Sequence, residues 1–344
     1  MGLLFRWRTF SALGAAALTV VTAAACSSGT SNSSTSTSTS TSASASTSTG
    51  TTTGVTNITL GYVPYSDDAS LFYAQDSGIF RKHGLNVSFV AQASPVAVEA
   101  SMASGTEQFG FVTMPVLINL TTKGVSAKCV STVDGNEPTN PADDTTVLVA
   151  AKGSGITSIK GLAGKNVAEV QLTSLNSLAV QVLAKQAGID PASVHQIAIP
   201  FPQMPAALAQ GRVQAAVIVS PFTQTALAEG ATVLVHPNQV LFAGGTLTCL
   251  DAMSSYISAH PAIVAEFRAA MDESIAYTQT HQSVVKQTLV KGLSLTPAVA
   301  AKQVLNTNFD TSFNTASIGR IEADMKEFGI IASVPPASSM LWNP

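Results

Sequence analysis

The sequence predicts an α/β protein of two lobes, each with a parallel-rich sheet, and a central cleft between them. Two observations carry that expectation. From Ile58 onward, short apolar runs alternate with helical patterns, as in parallel strands joined by crossover helices. In addition, one segment occurs twice. Gly105-Thr106-Glu107-Gln108-Phe109-Gly110-Phe111-Val112-Thr113-Met114-Pro115 has a counterpart 106 residues later, Gly211-Arg212-Val213-Gln214-Ala215-Ala216-Val217-Ile218-Val219-Ser220-Pro221, with Gly, Gln and Pro at identical spacing. Each copy reads as a glycine stop after a helix, a buried strand, a hydroxyl residue and a helix starting at Pro. Two lobes on one local plan follow from such a repeat. Ligands of such sheets lie beyond the carboxyl ends of the strands, where Thr113 and Ser220 stand.

The elements follow in order. Arg6 and Arg8 precede an apolar stretch from Phe10 to Ala25 that ends in Ala23-Ala24-Ala25-Cys26. This reads as a signal peptide over 1–25 with a lipid attached to Cys26, and it resembles a bacterial lipoprotein box with Ala23 in place of the usual Leu. Residues 27–54 are almost entirely Ser, Thr, Gly and Ala, which have nothing to bury. The segment 26–56 is therefore a tether reaching about 30 Å. Lobe I is expected over 57–149 plus 243–344, and lobe II over 150–242. Hinges are expected near Val147–Ala151 and Leu241–Gly245.

Within lobe I, Ile58 to Val63 reads as a strand, Ala69 to Asp76 as a helix closed by Gly78, and Leu85 to Ala91 as a second strand. Ser94-Pro95 opens a helix that ends at Gly105. Within lobe II, Val167 to Val170 is a strand. Thr173-Ser174 then precedes a helix with apolar Leu175, Leu178, Val182 and Leu183, stopped by Gly188. Pro261 to Gln282 and Thr296 to Asn306 read as surface helices packing back on lobe I.

Composition excludes some functions. Charged residues are 11% and the net charge is −3, so no basic nucleic-acid surface is expected. The histidines at 83, 195, 236, 260 and 281 have no metal-ligand spacing. Gly153-Ser154-Gly155 is not a nucleophile elbow. Gly164-Lys165 continues into Asn166 and forms no phosphate loop. With no nucleophile, metal or cofactor signature, the chain reads as a binding protein and not an enzyme, without a cofactor. Setting Cys26 aside leaves Cys129 and Cys249, an even pair in an oxidising compartment, and a disulfide is expected.

Candidate ligand groups sit where helices open with hydroxyl residues: Ser94, Thr173-Ser174 and Ser220. Their free N–H groups and dipoles suit anions and carbonyls. The loop Pro64-Tyr65-Ser66-Asp67-Asp68 follows the first strand. Its two carboxylates either accept a ligand amine or stabilise a helix N-terminus.

These residues resemble a known family. Gly61-Tyr62-Val63-Pro64, Ala69 through Phe80, Gly84-Leu85-Asn86-Val87, Ala187-Gly188-Ile189-Asp190, Ala207 through Gly211 and Ser220-Pro221-Phe222 are similar to ABC-importer binding proteins for nitrate, sulfonates, taurine and thiamine-type pyrimidine precursors. The resemblance implies a type II periplasmic-binding fold, a small-molecule solute, an ABC permease and ATPase as partners, and a monomer lipid-anchored on the extracytoplasmic face of the cell membrane. It implies ligand contacts at Tyr65, Ser66, Asp67, Asp68, Ser94, Thr113, Thr173, Ser174, Asn176, Ser220 and Phe222. Gln108 and Gln214 stand where the family often has Asp, and Asp67-Asp68 where pyrimidine-precursor relatives carry Asn-His. Alternatives are an enzyme on the same fold, related to pyrimidine-precursor synthesis, or a sensing or adhesion lipoprotein. No Lys or Arg occurs in 62–68, 92–97, 112–116, 171–178 or 219–225. A polar neutral or zwitterionic solute is expected on that ground, taurine-like in preference to nitrate, with an acidic end near Ser174 or Ser220 and any amine near Asp68; a neutral heterocycle is the alternative.

Replacing Cys26 with Ser is expected to move the protein from the membrane fraction to the soluble exported fraction, read by cell fractionation. Unchanged membrane partition would sink the lipid assignment.

Overall fold

Glycine stops and buried β-branched runs divide the chain into two sheets of the same plan. The computed structural model describes residues 54–306, 308 and 310–343. The expected signal segment, Cys26 and tether residues 26–53 lie outside the described residues. The first sheet contains β1 (Thr56–Tyr62), β2 (Leu85–Ala91), β3 (Phe109–Thr113) and β4 (Ala127–Ser131). The second contains β5 (Thr146–Ala150), β6 (Asn166–Glu169), β7 (His195–Ala198), β8 (Ala215–Val219) and β9 (Thr232–Val235). The chain then returns to the first sheet as β10 (Thr248–Met253).

The spatial orders are β2-β1-β3-β10-β4 and β7-β6-β8-β5-β9. In each, the fourth position is held by an antiparallel strand next to a crossing between the sheets: β10 beside β3 and β4, β5 beside β8 and β9. Two crossings and mixed sheets of this order make the expected type II periplasmic-binding architecture. β8, Ala-Ala-Val-Ile-Val, is buried at every residue, as a strand covered on both faces must be.

The repeat has a physical cause. Gly105 and Gly211 adopt φ of +78° and +69°, which suits glycine and ends the preceding helix. Three residues on, the Gln108 N–H donates to the Thr59 carbonyl at 2.9 Å, while its side-chain oxygen accepts the Thr59 N–H at 2.8 Å. Gln214 holds Asn166 in the same way, at 2.9 and 3.1 Å. Each side-chain amide also donates to the carbonyl of its own stop glycine. The glutamines thus extend the parallel ladders β1/β3 and β6/β8 by one rung before the strands begin.

Several expectations shift. Val147–Ala150 lies within β5, which pairs along its length with β8 and β9, so the change of lobe precedes it. The crossings between the sheets run through 132–145 and 236–247; the first lies upstream of Val147, and Leu241–Gly245 falls inside the second. The strand expected at Val167–Val170 is Asn166–Glu169. Pro261–Thr280 is a helix whose Phe267 stacks on Phe109 of β3 with centroids 3.9 Å apart. In place of a helix from Thr296 to Asn306, only Pro297–Ala300 is helical; Asn306 instead donates to the Asn136 carbonyl in the first crossing. No helix among the described residues is long and apolar enough to cross a membrane.

Cys129 on β4 and Cys249 on β10 are joined as a disulfide with Cα atoms 5.4 Å apart, within the range such bonds require. They are 120 residues apart in sequence, and a loop of that size is worth about 5 kcal/mol in the chain-entropy account. Replacing both with Ser is expected to lower the unfolding free energy by about 2–5 kcal/mol in denaturant titration. Alkylation of the denatured, unreduced protein should label neither cysteine; two labelled thiols would refute the bond.

Candidate functional site

Strand register brings the carboxyl ends of the two sheets together. In the first sheet Thr248 pairs with Thr113, and in the second Thr146 pairs with Val219. All four line one cavity of about 50 Å³, several times the ~10–15 Å³ that holds a single water. Tyr65 and Asp67 enter from the segment after β1, Ser174 and Asn176 from the cap and first turn of the helix Leu175–Gln186 after β6, and Glu137 and Asn238 from the two crossings. Both lobes therefore contribute to the wall, and they meet there. The Ser66 N–H donates to the Ser220 carbonyl at 2.9 Å, and the Tyr65 ring lies 6.2 Å from that of Phe201.

The expected site residues divide. Tyr65, Asp67, Thr113, Ser174 and Asn176 line the cavity. Ser174 is also a true N-cap: its hydroxyl accepts the Ser177 N–H of the helix Leu175–Gln186. Asp68 is fully buried, and its carboxylate accepts the Tyr65 N–H at 3.0 Å. It shapes the loop, and Asp67 is the carboxylate of the pair that lines the cavity. Ser66 serves through its backbone. Ser94 caps the helix Pro95–Ala103 by position without a side-chain bond, and its neighbour Pro95 reaches the cavity. The Thr173 hydroxyl accepts from Gln171. The Ser220 hydroxyl accepts from Gln224. The helix after it begins at Phe222, which stacks on Phe201 6.5 Å away. Of the helix starts expected at Ser94, Thr173-Ser174 and Ser220, that at Ser174 puts its hydroxyl residue on the cavity wall, as does Thr113, which precedes the helix Met114–Thr122.

Sequence reasoning missed Glu137, Phe111, Phe201 and Asn238. Phe111 carried a usable signal, since it stands two residues before Thr113 on the same strand and so on the same face. The others sit in loops and crossings with no periodicity to read.

The polar wall is acidic and unbalanced. Asp67 is buried; one oxygen accepts the Thr145 hydroxyl at 3.0 Å and Oδ1 has no partner. Thr113 Oγ1 and Asn238 Oδ1 are also buried without a partner, an arrangement that costs free energy unless a ligand or water supplies the bond. Among the lining residues there is no Lys, Arg or His. Burial raises the pKa of Asp67 well above the ordinary range, helped by Asp134. Glu137 is raised by burial and by Asp144. Burial lifts Asp134 to about 7 and Asp144 to about 6, against hydrogen bonds that favour their charged forms. No three His, Cys, Asp or Glu side chains among the described residues form a metal-holding group.

These shifts set a pH dependence for the ligand-free protein. Each raised carboxyl keeps its proton in the fold at a pH where the unfolded chain has lost it. The folded state then binds more protons, and stability falls as pH rises from about 4 to about 7. Glu273 and Asp310, lowered by hydrogen bonds, act oppositely, but both are solvent-facing and weakly coupled. Urea unfolding is expected to give a higher midpoint at pH 5 than at pH 7.5. The reverse order would show that the cluster is ionised and compensated.

The comparisons fit this geometry. A model of the NMT1-like family matches residues 51–291. A ligand-binding component of an ABC-type import system from Staphylococcus aureus, with zinc bound, superposes with a TM-score of 0.71 at 15% identity, covering 83% of this chain and 96% of that one. The aliphatic sulphonate binding protein SsuA of Escherichia coli gives 0.66 at 20% identity, covering 83% and 97%. The nitrate-binding protein NrtA of Synechocystis gives 0.68 at 13%, covering 81% and 83%. At these identities the likeness is one of fold. The bicarbonate transport ATP-binding protein CmpC of Synechocystis is 25% identical over 74% of this chain, which spans 38% of its length. With most of its length matched by the family model and its fold shared with periplasmic binding proteins, the chain belongs to the NMT1-like family.

Proposed function

We propose that this chain is the extracytoplasmic solute-binding component of an ABC importer. It captures a small amine-bearing solute between its lobes and delivers it to a permease and ATPase, while lipid on Cys26 and the Ser/Thr tether hold it at the membrane. The observation that carries the reading is the cavity walled by both lobes, with buried polar atoms that lack partners. A ligand that touches both lobes stabilises their closed arrangement, which is what a delivery protein must signal. Family membership and the names of the structural neighbours support the transport role. A taurine-like zwitterion has support at its amine end, from Asp67. Its acidic end would rely on the N-terminus of the helix Leu175–Gln186, worth about 0.3–1 kcal/mol and up to ~2 when partly buried.

The test is a thermal-shift screen of small amines, sulfonates, nitrate and pyrimidines on the purified exported chain. At least one compound is expected to raise the midpoint by about 5 °C at saturation. Asn238→Leu, similar in volume and lacking the unpartnered oxygen, should fold and lose that shift. A flat screen, or a shift unaffected by Asn238→Leu, would count against the cavity as the site.

A further inference from the structure

We infer that the solute is a small organic ammonium ion without an acidic group, held by Asp67 and Glu137 against the rings of Tyr65, Phe111 and Phe201. The inference rests on the reading of the inter-lobe cavity as the solute site and narrows it to a chemical class.

Four features converge on it. Asp67 is 7% exposed, and Oδ1, with no partner, belongs to a residue that lines the cavity; a positively charged N–H or N-methyl group is its natural complement. Glu137 shares the same wall. Behind them stand Asp68, Asp134 and Asp144, while the nearby imidazole, His236, is disfavoured as a cation by its own burial. The lining thus offers carboxyl groups that a bound cation would ionise, and no Lys, Arg or His to balance them. Aromatic faces complete the enclosure: Tyr65 and Phe111 have centroids 5.2 Å apart, and Phe201 lies 6.2 Å from Tyr65. Rings and carboxylates around a small space make the chemistry that selects ammonium ions. Most of the remaining wall is apolar, including Val63, Val170, Val219 and Leu247, which suits alkyl groups on the nitrogen.

An anionic end has little to meet. In the helix Leu175–Gln186 the Ser174 hydroxyl takes the Ser177 N–H, which leaves an anion the N–H groups of Leu175 and Asn176 and no cationic side chain on the wall. A sulfonate there would share a small cavity with Asp67 and Glu137. The fold shared with proteins named for sulphonate and nitrate therefore carries a wall of opposite preference here.

Calorimetry on the full exported chain at pH 7.5 tests the inference with methylammonium, trimethylammonium, choline, taurine, ethanesulfonate and nitrate. At least one of the three ammonium ions is expected to bind at least tenfold more tightly than taurine, with no heat from ethanesulfonate or nitrate. Asp67→Asn should weaken that binding at least tenfold and Glu137→Gln should also weaken it, each with cooperative unfolding retained; the surface variant Glu327→Gln should leave it unchanged. Tighter binding of taurine, ethanesulfonate or nitrate would overturn the ammonium assignment and leave the solute-binding reading standing. Ammonium binding indifferent to both carboxylate variants would overturn the assignment too. Silence from all six would end the ammonium inference, while the thermal-shift screen decides the broader reading separately.

Discussion

Two chain crossings lie side by side, and the rest of the molecule is arranged about that pairing. The Glu137 N–H donates to the Gly245 carbonyl at 2.8 Å, and the Gly244 N–H donates to the Glu137 carbonyl at 3.0 Å. Buried backbone outside sheets and helices must find such partners, and here each crossing supplies them to the other. Further bonds pin the pair to lobe I: Asn136 N–H to the Asp310 carbonyl, and Asn308 to the Glu137 carbonyl. Glu137 therefore has its backbone fixed at the junction while its side chain reaches the cavity. Both crossings lie outside the strands, so each sheet is complete without them.

From that junction the two sheets extend as near copies. The glutamines at 108 and 214 show how a short repeat acquires structural meaning. Each supplies a backbone-like pair of hydrogen bonds at the start of a central strand, so the register of β3 on β1 and of β8 on β6 is set in the same way. Equivalent registers place equivalent strand ends at the interface. Thr113 with Thr248, and Val219 with Thr146, then face the cavity from opposite sides.

The cavity runs against the economy of the remaining core. Elsewhere, apolar side chains pack into one cluster shared by both lobes and a second on the other face of the second sheet, with isolated buried carboxyls at Glu169 and Asp251. At the junction, carboxyls gather without cations, and several polar atoms go unpartnered. Such an arrangement weakens the empty fold and strengthens whatever bound species supplies the missing charge and bonds, which is how binding sites commonly depart from the rules of a good core. The loop carboxylates at 67 and 68 illustrate the division of labour. Asp68 bonds a neighbouring N–H and builds the turn; that turn carries Tyr65 and Asp67 to the wall.

How much of this was legible in the sequence depended on distance along the chain. Periodicity, caps and glycine stops are local, so the helices Ala69–Asp76 and Leu175–Gln186, the strand Leu85–Ala91 and the two-lobe plan could be read directly. The repeat pointed to the strand ends at Thr113 and Ser220, of which Thr113 lines the cavity, while the loop after the first strand and the helix start at Thr173-Ser174 pointed to Tyr65, Asp67 and Ser174. Contacts between distant segments leave no such pattern. That β5 belongs to the second sheet follows from pairing with β8 and β9. That residues beyond Ala300 leave the helix follows from Asn306 bonding the first crossing. The same limit hid Glu137, Phe201 and Asn238, and it left open which of Asp67 and Asp68 lines the cavity. Local propensity determined which elements form and where they end, because those energies act within a few residues. Which carboxylates face one another, and with no positive charge between them, was decided only when the two crossings brought the lobes together.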